Sequence, residues 1–277
     1  MFGARPGFDI AMAVGKGYLG ATFKIKIMPD TILISGANRG IGLALTGELL
    51  RRGHRVVAGC RDVAGAAELQ ALSAIGRGTL DIQPLDITQQ ASVQAVARHI
   101  ESKYAALDVL VNNAGVLTDG DKHSILDLDF AQLAVNLETN LTGTARLTQA
   151  VWPLVARGNR PRVVNIASGA GLIGPKRNSN YYAYSISKAA LNMLTRLLEI
   201  EGRAQSICVA AVIPGRVQTR MTGMQAPLTA EESAQGLAVM LEGLTMADTG
   251  AVLDRHGKPC FAETYSDASG QVFHAGW

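Results

Sequence analysis

A doubly wound α/β fold, with a largely parallel seven-stranded sheet and helices on both faces, is predicted by three observations. Short runs of β-branched and apolar residues alternate with stretches that repeat apolar residues at helical spacing, the pattern of strand–helix–parallel strand units. The first such run leads straight into a glycine-rich turn and then a helix. The motifs of unusual composition in the first half of the chain follow the carboxyl ends of predicted strands, where ligands of open α/β sheets collect.

The 277 residues, 48% hydrophobic and 18% charged, suffice for one large α/β domain. No proline-rich linker, charge run or internal repeat divides them. The formal net charge of +3 comes without a basic cluster, so nucleic acid is not an expected partner. Three cysteines, Cys60, Cys208 and Cys260, lie far apart and suit a reducing, cytoplasmic setting better than a disulfide framework. The five histidines are scattered without ligand spacing, so no metal site is predicted. Residues 1–28 contain an apolar stretch broken by Lys16 and several glycines, too short and interrupted to span a membrane. They are expected to form an N-terminal extension outside the core fold.

Thr31–Ser35 reads as a buried strand. The turn Gly36-Ala37-Asn38-Arg39-Gly40-Ile41-Gly42 follows, then a helical pattern through Leu43, Leu45, Leu49 and Leu50. A glycine turn in that setting lets a pyrophosphate approach backbone N–H groups at the positive end of a helix. The second strand, 55–59, ends at Cys60 and Arg61. A carboxylate there would accept from an adenosine ribose, whereas an arginine accommodates a 2′-phosphate. Arg39 and Arg61 together favour the phosphate, although Asp62 stands about twenty residues past the glycine turn, where an NAD-type acid belongs.

A helix over 64–74 and a strand at Thr79–Pro84 lead to Leu85-Asp86-Ile87-Thr88. Asp86 either meets the adenine amino group or helps cap a helix beginning near Thr88. Residues 108–111 form a near-continuous apolar run, as in a strand buried on both faces, and end in Asn112-Asn113-Ala114-Gly115. A long helix is expected over 130–155, with Asn140 and Gly143 marking an irregularity that frees backbone groups to hold a water. Further strands at Arg162–Ile166, 207–213 and 251–253 complete the seven. Ser168 and Gly169 follow the first of these, and Pro214-Gly215-Arg216-Val217-Gln218-Thr219 follows the second. Between them Tyr184 and Lys188 stand four apart on a predicted helix, hence on one face. A fixed ammonium beside a phenol favours the phenolate and brings a pKa of ~10 toward the working range.

Taken together, these residues resemble the short-chain dehydrogenase/reductase family from about Thr31 to Lys258. Within it, Tyr181-Tyr182-Ala183-Tyr184 and Lys188-Ala189-Ala190-Leu191-Asn192-Met193-Leu194 look most like the C-factor and sniffer type of carbonyl reductase. The resemblance implies a Rossmann-like domain over 29–260 and a C-terminal tail over 261–277. It also implies Tyr184 as general acid/base, Lys188 as the group that lowers its pKa and binds the nicotinamide ribose, and Ser168 as the holder of the substrate oxygen. Asn140 would anchor a proton-relay water. Cofactor contacts are expected from Gly36, Asn38, Arg39, Gly40, Ile41, Gly42, Arg61, Asp86, Ile87, Asn112, Ala114, Gly115, Tyr184, Lys188, Pro214, Gly215, Val217 and Thr219. NADP(H) is the expected preferred cofactor, with NAD(H) possible, and a small-molecule carbonyl or alcohol is the expected substrate. The alternative is a dinucleotide-binding signalling or regulatory protein on the same fold; the intact Asn140, Ser168, Tyr184 and Lys188 set favours the enzyme. The predicted helices at 130–155 and 182–201 carry apolar residues on more than one face, which suggests a homodimer or homotetramer. Three departures from the family pattern stand out, the first being that residues 261–277 run past the point where C-factor-like chains usually stop and read as a tail with no assigned role. Ser35 replaces the usual threonine before the first glycine, and residues 169–183 form a longer segment carrying Lys176 and Arg177, two cations suited to an anionic substrate or simply exposed on a loop.

Overall fold

A computed structural model describes residues 29–118, 120, 124–222, 225–260, 264–266 and 272–274. The expected N-terminal extension, 1–28, lies outside the described residues. Alternation of strand and helix runs as predicted: β1 (Thr31–Ser35), α1 (Gly40–Arg51), β2 (Arg55–Cys60), α2 (Ala67–Ala71), β3 (Thr79–Pro84), α3 (Gln90–Tyr104) and β4 (Val109–Asn112). The second half contains α4 (Phe130–Leu137), α5 (Thr144–Val155), β5 (Arg162–Ile166), α6 (Tyr182–Arg203), β6 (Cys208–Ile213), α7 (Ala230–Gly243) and β7 (Val252–Asp254). From the tail, β8 (Thr264–Ser266) and β9 (Val272–His274) pair as an antiparallel hairpin.

The main sheet has 7 strands in the order β3-β2-β1-β4-β5-β6-β7, and every neighbouring pair is parallel. Alternate residues of a strand face opposite sides. Thus Ile32 and Ile34 of β1 join the core beneath α1 and α7, with Leu45, Leu49, Leu237 and Leu241. Leu33 joins the core beneath α3 and α5, with Val96, Ile100, Leu147 and Val151. Apolar packing on both faces explains why the central strands read as unbroken hydrophobic runs. The amino-terminal edge of the sheet is fastened by buried Arg162, which pairs with Asp30 Oδ2 at 2.7 Å and donates to the Leu241 carbonyl at 2.9 Å.

Three helices differ from expectation. The one predicted over 64–74 begins at Ala67 because Asp62 Oδ1 accepts from Gly65 N at 2.9 Å, closing a turn first, and it ends in a 3₁₀ turn at Leu72–Ala74. The helix placed near Thr88 begins at Gln90, and Asp86 does not cap it: Asp86 Oδ1 accepts from Thr88 N and Thr88 Oγ1 in a local turn. The 130–155 helix is interrupted, as its Asn and Gly predict, by a π-helical segment at Glu138–Gly143. Among the described residues no helix is long and apolar enough to cross a membrane.

Candidate active site

The carboxyl ends of β1, β2, β4, β5 and β6 open into a cleft of about 1910 Å³. Its floor is the turn after β1. Gly36 and Gly40 take positive φ values of 67° and 53°, and a Cβ on Gly36 would come within 2.9 Å of Ala114 Cα. A Cβ on Gly42 would meet the Gly36 carbonyl at 2.3 Å. Only glycine satisfies both the backbone conformation and this approach. The first turn of α1 has no side-chain cap, so its N–H groups remain for a ligand in the cleft. Ser35 Oγ accepts from Asn113 N and Ala114 N, each at 3.1 Å, so the seam between β1 and β4 keeps its hydroxyl bridge without threonine's methyl. Asn113 Nδ2 donates to the Ser35 and Gly36 carbonyls at 2.9 and 3.0 Å.

On the β2–β3 side, Arg39, Arg61, Asp86 and Ile87 line the cleft. Arg39 and Arg61 have no carboxylate partner among the described residues. Asp62 lines it too, with its carboxylate engaged in its own turn. Across the opening, Gly215 follows β6 with φ 90°, Val217 is buried and Ser233 Oγ donates to the Pro214 carbonyl at 2.8 Å. This loop arches back until Thr219 Cγ2 lies 3.2 Å from where a Gly40 Cβ would be, placing Pro214, Gly215, Val217 and Thr219 on the cleft wall.

Ser168, Tyr184 and Lys188 line the opposite end. Ser168 stands two residues past β5 in extended conformation, and its Oγ accepts from Ala170 N at 3.1 Å, capping a 3₁₀ turn. The turn it starts presses on α6 at Gly171, where a Cβ would fall 2.6 Å from the Lys188 carbonyl carbon. Lys188 Nζ donates to the Ile166 carbonyl at 2.7 Å and lies 5.7 Å from the centre of the Tyr184 ring. Burial lowers the Lys188 pKa to about 8, which still leaves the ammonium mostly charged at neutral pH. A Cβ on Gly115 would press on Asn140 Oδ1 at 3.1 Å and would touch Lys188 Nζ at an ordinary 3.7 Å.

A profile of the short chain dehydrogenase family matches residues 30–229, which span the cleft from the glycine turn to the first residues before α7. The chain belongs to the short-chain dehydrogenase family. Among relatives of this dehydrogenase, 3-oxoacyl-[acyl-carrier-protein] reductase FabG of Salmonella typhimurium is 32% identical over 191 residues, 69% of this chain and 74% of that one. C-signal of Myxococcus xanthus is 35% identical over 151 residues, 54% of this chain and 90% of its own. Two solved structures extend the likeness. Carbonyl reductase Sniffer of D. melanogaster superposes with a TM-score of 0.78 at 28% identity, covering 84% of this chain and 99% of that one. NADPH-bound carbonyl reductase from chicken fatty liver gives 0.76 at 32% identity, covering 83% and 98%. The chain is an oxidoreductase of this family.

Two of the expected site residues stand behind the cleft of this dehydrogenase rather than in its wall. Asn112 is buried and donates from Nδ2 to Thr148 Oγ1 at 2.9 Å and Asn165 Oδ1 at 2.8 Å. Asn140 is wholly buried, its Oδ1 accepting from Val116 N and its Nδ2 donating to the Val116 carbonyl, both at 2.8 Å. Asn140 also donates to Ser187 Oγ at 2.9 Å, and Ser187 donates to the Tyr184 carbonyl at 2.7 Å. Asn113, Gly171 and Ser187 are the positions that sequence reasoning missed. For Asn113 a signal existed: neighbours at a strand end face opposite sides, so only one of two adjacent asparagines points into the core. Of the two loop cations, Lys176 donates to Ser185 Oγ at 2.9 Å and the Asn180 carbonyl at 3.2 Å, fastening the long segment to α6. Arg177 is exposed at the rim.

Proposed function

We propose that this oxidoreductase interconverts a carbonyl and an alcohol with NADP(H), using Tyr184 as general acid/base. One observation carries the reading: Ser168, Tyr184 and Lys188 line the same cleft as the glycine turn, so a dinucleotide on that turn reaches toward a phenol and an ammonium. The cradle fits such a cofactor, because its glycines admit no Cβ and the α1 N-terminus offers free N–H groups. When bound, the nicotinamide supplies or accepts the hydride. Lys188 is placed for the ribose, Ile87 and Asp86 for the adenine side, and Pro214, Gly215, Val217 and Thr219 for the facing wall. Ser168 and Tyr184 hydrogen-bond the substrate oxygen, and in reduction Tyr184 gives up its proton to it. Lys188, held by the Ile166 carbonyl, stabilises the phenolate that results. The side chain of Asn140 is engaged with Val116 and Ser187, so a relay water there would rest on the backbone carbonyls that the π-helical segment loosens.

Tyr184→Phe keeps the ring and removes the proton. It is expected to lower turnover of a reducible ketone or aldehyde by ~10²–10⁴-fold while the dinucleotide binds nearly as before. Wild-type turnover in that variant, on a substrate the native protein reduces, would refute the assignment.

Arg39 and Arg61 support a preference for NADP(H) through charge-assisted contacts to the 2′-phosphate. Arg61→Asp is expected to raise the Kd for NADPH by at least about tenfold, with a smaller effect on NADH. Native protein that binds NADH as tightly as NADPH would transfer the role to Asp62. The apolar outer faces of α4 and α6 support a homo-oligomer.

A further inference from the structure

Among the described residues, arginines paired with a carboxylate include Arg51 of the cleft lining, and arginines without one include Arg55, Arg77 and Arg98 outside the cleft. Arg52, Arg146, Arg157, Arg162 and Arg203 each pair with a glutamate or aspartate. Arg39, Arg61, Arg177, Arg216 and Arg220 all line the cleft, and among the described residues none has a carboxylate partner. Arg39 and Arg61 lie on the adenosine side and are accounted for by the 2′-phosphate. The other three stand on two segments of the cleft wall: Arg177 between β5 and α6, its Nη1 donating to the Gly174 and Lys176 carbonyls, and Arg216 and Arg220 after β6, on the loop whose Thr219 approaches Gly40.

Both segments are fixed at their bases. Lys176 clasps the first to Ser185 and Asn180. In the second, Gln218 N donates to the Leu228 carbonyl at 2.8 Å, Gln218 Nε2 donates to the Ala226 carbonyl at 2.8 Å, and Leu228 N donates to the Arg216 carbonyl at 3.3 Å. Val217 is buried while its neighbour Arg216 is exposed, so the closed loop carries the guanidinium outward at the cleft rim. Of the acids lining the cleft, Asp62, Glu68 and Asp86 belong to the stretches around β2 and β3, leaving Glu231 against three guanidiniums. A surplus of like charge around a concave site concentrates ligands of the opposite sign.

We infer that the substrate carries an anionic group, a carboxylate or a phosphate, held at the cleft mouth by Arg177, Arg216 and Arg220 while its carbonyl lies against Ser168 and Tyr184. This rests on the carbonyl-reducing reading of the same cleft. Matched pairs test it: levulinate against methyl levulinate, and dihydroxyacetone phosphate against dihydroxyacetone, each at saturating NADPH. The charged member of at least one pair is expected to show a kcat/KM tenfold or more above its neutral partner, with the advantage shrinking as salt is added. The pair that shows it distinguishes carboxylate from phosphate. In the double variant Arg216→Gln, Arg220→Gln the charged-to-neutral ratio is expected to fall toward one. A native ratio near one in both pairs overturns the inference and leaves carbonyl reduction standing. A variant that keeps the ratio but raises the KM for NADPH also overturns it, because these arginines would then serve the dinucleotide. Failure to reduce any of the compounds, or any carbonyl in a wider panel, removes the carbonyl-reducing reading and this inference with it.

Discussion

Lys188 is the residue whose burial has the clearest thermodynamic signature. Its pKa falls from 10.5 to about 8 because the folded protein withdraws the ammonium from water. Below about pH 8 both folded and unfolded chains hold the proton, and the full burial penalty opposes folding. Between about 8 and 10.5 the unfolded chain holds more protons, so this residue's contribution to stability rises with pH. Urea unfolding of the ligand-free protein is therefore expected to show a smaller gap between Lys188→Met and the native protein at pH 10 than at pH 7, the variant being the more stable where the penalty applies in full. A gap independent of pH over that range would mean that Lys188 is solvated. The pairing of Tyr184 with Lys188 was legible from their spacing alone, because four residues is one helical turn. The contact of Gly171 with Lys188 was not, because nothing local marks a glycine chosen for an approach to a distant helix.

Among the elements, the π-helical segment Glu138–Gly143 ties the cleft wall to α6. Asn140 links it to Val116 and to Ser187, and a Cβ on Gly143 would collide with Ile87 at 2.8 Å. Ser187 is thus placed as a positioning residue: it receives Asn140 and holds the turn of α6 that carries Tyr184. Ser187→Ala is expected to lower kcat by ~10-fold with little change in KM, the pattern of an interaction that counts only in the transition state. It should also move the tyrosine limb of the pH–rate profile upward, as the phenol loses its fixed position beside Lys188. A drop in melting temperature with an unmoved pH profile would reduce Ser187 to packing. The irregularity itself was visible in the sequence, since asparagine and glycine weigh against a helix interior. Its hydrogen-bond partner, 47 residues away, was not. The shortened α2 and the late start of α3 escaped for a similar reason: Asp62 and Asp86 each spend a carboxylate oxygen on a turn that competes with the helix.

At the scale of the whole molecule, the order of the elements was legible because the central strands are buried on both faces and the glycine turn, Asn112-Asn113-Ala114-Gly115, Ser168 and Pro214-Gly215 stand at or just past strand ends. What covers the outer surface was less so. Ile186, Met193, Leu197 and Ile200 form an exposed stripe along α6, beside exposed Phe130 and Val135 on α4. Such a stripe suits burial against a second copy of the chain. Light scattering at micromolar concentration is expected to give a dimer or larger, and Leu197→Glu combined with Ile200→Glu to give a monomer. A native monomer under those conditions would leave the stripe without a partner. The parallel sheet has a further consequence, for the time course of folding. The chain lays down β1, β2 and β3 toward one edge, then returns to place β4 beside β1 and proceeds to the other edge. Every pairing in the seven-stranded sheet therefore closes a long loop, a topology of high contact order that forms slowly. The cleft draws on residues from Gly36 to Glu231, so no early fragment contains it. A nascent chain released only as far as β3 has the glycine turn and Arg61 but neither Ser168 nor Tyr184, and the capacity to do chemistry arrives last, with the docking of α6 and α7.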